Sequence, residues 1–146
     1  MGLFSGVLGG SRSYPNNEPE AVLGMLIAII AADGSISDDE KNSFMYLANN
    51  TKALGPMPAK IFWEHVETSQ NMVRREGAQS LMEKCVAYIT AEKRKPLFIN
   101  ACDLIMKDGR VEPEEEAIIE GLQRRLGIDD AFAQNAVSVI LTKYSL

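Results

Sequence analysis

Two acidic turns hold the residue types that could do chemistry. The first reads Ala31-Ala32-Asp33-Gly34-Ser35-Ile36-Ser37-Asp38-Asp39-Glu40. The second reads Met106-Lys107-Asp108-Gly109-Arg110-Val111-Glu112-Pro113-Glu114-Glu115. In both, Asp-Gly is followed two residues later by a β-branched apolar residue, Ile36 or Val111, and four residues further on by a glutamate, Glu40 or Glu115. The pairs Asp33 and Asp108, Ile36 and Val111, and Glu40 and Glu115 all lie 75 residues apart. Carboxylates are hard oxygen ligands for divalent cations. Two of them about 4 Å apart repel by roughly 4 kcal/mol at an effective dielectric of about 20. If the two halves pack about a pseudo-twofold axis, Asp33, Glu40, Asp108 and Glu115 converge on one face. Such a cluster calls for a cation, a proton or solvent to screen it. The same turns have a purely structural reading: Asp-Gly ends one helix, the apolar residue plugs the elbow, and the glutamate caps the next helix.

The turns are not EF-hand loops. A calcium loop needs oxygen ligands at its first and third positions, glycine at the sixth and a bidentate glutamate at the twelfth. With Gly34 and Glu40 in the last two roles, the leading positions fall on Ile29 and Ala31. In the second copy they fall on Leu104 and Met106. None of these side chains can coordinate calcium.

The elements that must position the turns are helices. Val22, Leu23, Leu26, Ile27 and Ile30 recur at helical spacing and predict a buried central helix from Pro19 to Ala32. Ser37 with Glu40 forms a capping box that opens a second helix, with Phe44, Leu47 and Ala48 facing inward. A third helix follows Pro58, with Ile61, Phe62, His65 and Val66 on one face, and a fourth runs from Gly77 to Thr90. The charged run Glu92-Lys93-Arg94-Lys95 reads as a solvated link. A fifth helix, Pro96 to Met106, repeats the first at the same offset, setting Phe98, Ala101, Cys102 and Ile105 on Leu23, Leu26, Ile27 and Ile30. A sixth, Pro113 to Leu126, repeats the second, setting Ile119 and Leu122 on Phe44 and Leu47. Asp129 caps a seventh that ends near Lys143, with Phe132, Ala136, Val139 and Ile140 inward. Period-2 alternation of β-branched residues is missing. The expected fold is all-α: about seven helices in a single compact bundle built from two pseudo-symmetric helix-turn-helix halves. Residues 1–17, with Gly2, Gly6, Gly9, Gly10 and Pro15, read as a flexible N-terminal segment, and residues 18–146 as the helical domain.

Composition narrows the function. A chain of 146 residues suits one domain. A net charge of −5 argues against nucleic acid as a partner, because a duplex binder displaces counterions with a basic surface. Cys85 and Cys102 lie on apolar helix faces outside any CxxC pattern, and the single histidine, His65, has no neighbouring nucleophile. No phosphate-cradling loop or cofactor motif is present, so a non-enzymatic protein is expected. The apolar run from Ala21 to Ala32 is too short to span a bilayer, and residues 1–10 lack the basic start of a signal peptide, so the expected location is cytoplasmic.

The paired turns, in an all-helical chain of this size, resemble the tellurite-resistance protein TerB family. The same residues resemble the N-terminal domain of a membrane-anchored DnaJ-type co-chaperone. The resemblance covers roughly Glu18 to Lys143. It implies an all-α fold, a cytoplasmic or membrane-peripheral location, and a role in resistance to tellurite and related stress alongside protein partners. It also implies acidic residues that bind metal; by position these are Asp33, Glu40, Asp108 and Glu115, with a divalent cation as the expected ligand. The alternative reading is a metal-free protein-interaction scaffold.

Overall fold

The computed structural model describes residues 14–32 and 35–146. Among them are seven helices and no strand: α1 Glu18–Ile30, α2 Asp38–Asn49, α3 Ala59–Glu76, α4 Ala78–Val86, α5 Ala91–Ile105, α6 Pro113–Leu126 and α7 Asp130–Lys143. The all-α bundle expected from the sequence is the one observed. None of these helices is long and apolar enough to cross a membrane.

α1 is the axis of the bundle. Asn17 caps it by accepting the Glu20 amide at 3.0 Å. Every residue from Ala21 to Ile29 is buried, since α3, α4 and α5 surround the helix. A helix apolar on all sides is stable only in such a central position. α5 forms a second hub, packing on α1, α2, α6 and α7. The cores of the two hubs match the expected faces. Leu23, Leu26 and Ile27 on α1 are buried, as are Phe98, Ala101, Cys102 and Ile105 on α5. The helix pairings around the hubs differ between the halves. α2 lies mainly against α5, and α6 also lies against α5.

Four sequence expectations need correction. The run Glu92 to Lys95 is not a link but the first turn of α5, which starts at Ala91. Thr90 takes the N-cap position, and its amide donates to the Glu18 carboxylate of α1 at 2.7 Å. That bond holds the Glu18 carboxyl below its usual range. Pro96 therefore sits inside the helix rather than opening it. There it removes one backbone hydrogen bond. α4 stops at Val86, short of Thr90, and continues as tight turns in which Tyr88 donates to Cys85 and Ile89 to Val86. On α7, Val139 points to solvent with 67% exposure, and Ala133, Ala136 and Ile140 make the buried stripe. On α3, Ile61 is likewise exposed, while Phe62 and Val66 are buried as expected.

Residues 1–13, most of the segment expected to be a flexible lead-in, lie outside the described residues. Tyr14, just after them, inserts between α1 and α3. Its hydroxyl donates to the Glu20 carbonyl at 3.2 Å and accepts from the fully buried Ser69 at 2.9 Å. Burial pushes the Tyr14 hydroxyl well above the usual phenol range.

Candidate functional site

Both acidic turns begin with the same helix stop. The amide of Ala31 donates to Ile27 at 2.8 Å, and that of Met106 to Cys102 at 2.9 Å, so both helix ends keep the 75-residue offset. Ile36 and Val111 are both half-buried against the core, plugging the elbows as their apolar, β-branched side chains predict.

Both turns also end with the same helix start. In the first, the Glu40 amide donates to the Ser37 hydroxyl at 3.2 Å, and the Glu40 carboxylate accepts from the Ser37 amide at 2.9 Å. In the second, Glu115 accepts from the Glu112 amide at 2.9 Å, and the Glu112 side chain returns the bond to the Glu115 amide. Each glutamate thus spends one carboxylate oxygen on an otherwise unpaired helix-terminal amide. Ser37→Ala should therefore lower stability by about 1 kcal/mol in a urea titration. A loss below about 0.3 kcal/mol would show that the box contributes little to α2.

The second turn is described in full. Gly109 takes φ +83, and a Cβ there would lie 3.1 Å from the Tyr144 carbonyl, so glycine is needed on both counts. Asp108 is half exposed. One of its oxygens accepts from the Arg110 amide at 3.4 Å, and the other lies 4.0 Å from the Arg110 guanidinium. The same guanidinium lies 3.8 Å from Glu112. Of the four expected ligands, Glu40, Asp108 and Glu115 are placed as above, and Asp33 lies outside the described residues. Among the described residues no three His, Cys, Asp or Glu side chains gather where a metal ion could sit, so Glu40, Asp108 and Glu115 do not by themselves form one cluster.

The remaining chemistry-bearing residues have structural partners. Cys85 and Cys102 are free thiols with no exposure. Burial pushes both up to about 12, so neither offers a thiolate nucleophile near neutral pH. His65 stacks on Tyr14 with ring centroids 5.5 Å apart, and its Nε2 lies 3.7 Å from the Glu20 carboxylate. The nearby hydroxyl of Ser69 donates to Tyr14.

Sequence reasoning missed Arg94. From the first turn of α5, its guanidinium donates to the carbonyls of Ile89 at 3.1 Å, Val86 at 3.4 Å and Leu126 at 3.5 Å. It closes the C-terminal ends of α4 and α6 together. The available signal was a basic side chain a few residues past one helix end, where the macrodipole favours a cation; its reach to Leu126, 32 residues on, is set by the fold.

Fold and site together define an all-helical domain with two acidic helix elbows. The family model for tellurite resistance protein TerB matches residues 19–137, from the start of α1 into α7, and the chain belongs to that family. No curated protein and no solved structure gives a significant match.

Proposed function

We propose that this chain is a non-enzymatic module of a tellurite-resistance-like stress response, acting in the cytoplasm or at a membrane surface. It works by binding, and its two acidic turns hold a divalent cation, a protein partner or both. The observation that carries this reading is the doubled turn. Helix stop, apolar plug and N3 glutamate recur at one offset within a TerB-family domain. Local structure accounts for the glycine and the capping glutamate of each turn singly, so the reading rests on their recurrence at one offset. Calcium takes six to eight oxygens. A turn offering one or two carboxylates leaves most of that shell to water or to oxygen ligands of a partner. A cation so held would join this domain to another protein. Asp33, Glu40, Asp108 and Glu115 are the proposed ligands.

Thermal unfolding with Ca²⁺, Mg²⁺, Mn²⁺ or Zn²⁺ tests the cation. An ion at ten times its Kd stabilises the native state by about 1.4 kcal/mol, which raises Tm by roughly 3–5 °C. The rise should vanish in Asp33→Asn with Asp108→Asn. A second reading, a metal-free scaffold or co-chaperone-type domain, is favoured by the capping bonds that Glu40 and Glu115 already make. If no ion moves Tm, that second reading replaces the first.

A further inference from the structure

α6 and α7 both pack on α5 and scarcely touch each other. A cleft of about 880 Å³ opens between them. Its floor is apolar, formed by Val111, Ile119, Ala133, Val137 and Leu141. Ile119 and Ala133 are buried, and the other three are half-buried. Ala133, Val137 and Leu141 recur every fourth residue, so the stripe runs along α7 for about 12 Å. The rim is charged and exposed, with Glu116, Glu120 and Asp130 against Arg124. The closed end is held by Gln123, whose amide donates to the Ile128 carbonyl at 3.0 Å and to Asp130 at 2.7 Å.

A long apolar floor between two helices, with carboxylates outnumbering cations on the rim, is complementary to one kind of occupant. A helix with an apolar stripe fills the floor, and basic side chains on its flanks meet the rim. We propose that the α6–α7 cleft binds a single amphipathic, basic helix of a partner protein. This rests on the binding-module reading above and names its partner class. Val111 belongs to the second acidic turn, so the cleft and that turn share a wall and an occupant of one borders the other.

The test is an NMR titration of the full chain with a synthetic helical peptide of about four turns, carrying leucines at i, i+3, i+4 and i+7 and lysines elsewhere. Amide shifts should concentrate on α6, α7 and Val111. Glu116→Lys with Glu120→Lys should weaken binding about tenfold. Glu64→Lys with Glu67→Lys, an exposed pair on α3, should leave it within about twofold. A peptide with serine in place of leucine should not bind. Shifts spread over other helices, equal weakening by the α3 pair, or unchanged binding of the serine peptide would each overturn the proposal. So would sedimentation showing a dimer that the α6 pair reversal dissociates, because the occupant would then be a second copy. Circular dichroism of both charge variants establishes that they fold. If the peptide fails while a cation still raises Tm, the cleft is wrong and the module reading stands.

Discussion

Replacing Gly24 by valine is expected to destabilise the domain by about 3 kcal/mol, the upper range for overpacking. Gly24 lies buried in the middle of α1, where that helix meets α4. A Cβ there would sit 2.8 Å from the Cys85 sulfur, 3.4 Å from the Tyr14 ring and 3.7 Å from Leu81. The first distance is closer than carbon and sulfur can pack, so either the Cys85 sulfur must shift within a buried, packed site or α1 and α4 must part. Alanine should cost less than valine. It adds one carbon and gains up to about 1 kcal/mol of helix propensity over glycine. The decisive measurement is a double-mutant cycle in urea. Cys85→Ala alone leaves a small cavity, but beside Gly24→Ala it vacates the space that the new methyl needs. The double variant should therefore be more stable than the sum of the singles predicts, by about 1 kcal/mol or more. Additive losses, or a Gly24→Val variant within about 1 kcal/mol of the parent, would mean that α1 and α4 do not approach this closely.

The elements that were legible in the sequence carry local signals. α6 and α7 run from Pro113 to Leu126 and from Asp130 to Lys143, the expected bounds, because Pro113 presets the first helical turn, Gly127 ends α6 and Asp129 caps α7. α5 was misplaced because its start is fixed by a residue far away in the chain. Pro96 offers a local reason to begin a helix, but the amide that opens α5 is held by Glu18, on α1. The inward side of α7 was ambiguous for a different reason. Phe132, Ala136, Val139 and Ile140 fit helical spacing about as well as Ala133, Ala136 and Ile140. Only the position of α5 on one side of α7 decides between them. Phe132 packs against the core with the Lys95 ammonium of α5 4.7 Å above its ring, so of the expected set only Val139 faces solvent.

The candidate site divides in the same way. The capping roles of Ser37, Glu40 and Glu115 were legible because each bond spans three residues. Whether carboxylates 75 residues apart approach one another is a matter of helix packing, which no local pattern encodes. α2 and α6 both lean on α5, and among the described residues their capping glutamates and Asp108 stay out of a common cluster. The α6–α7 cleft was also invisible. It exists because two helices that adjoin in sequence both choose α5 over each other.

Arg94→Met should lower stability by about 2–3 kcal/mol, the second large effect expected of a single substitution. The guanidinium donates to three main-chain carbonyls from two helix ends. Hydrogen bonds from a charged donor contribute more than neutral ones, about 1.5–3 kcal/mol each at best, and the distances of 3.1 to 3.5 Å place these below that ceiling. Methionine keeps much of the aliphatic stem, so the loss reports on the fork rather than on packing. Lysine keeps the charge beside the two helix ends but cannot reach three acceptors in one plane, and should lose about half as much. Hydrogen exchange gives the loss a location. Amides near Val86 to Ile89 and Leu126 to Ile128 should lose protection in Arg94→Met before those in the middle of α1 do. If all protected amides weaken together, or if the Arg94→Lys variant equals the parent in a urea titration, Arg94 does not bind these helix ends as described. At the end of α4 the Val86 carbonyl accepts from the Ile89 amide and from Arg94, and the Ile89 carbonyl accepts from Arg94, before the chain enters α5 at Thr90. A residue that read as part of a solvated basic run thus ties the ends of two helices to the first turn of a third.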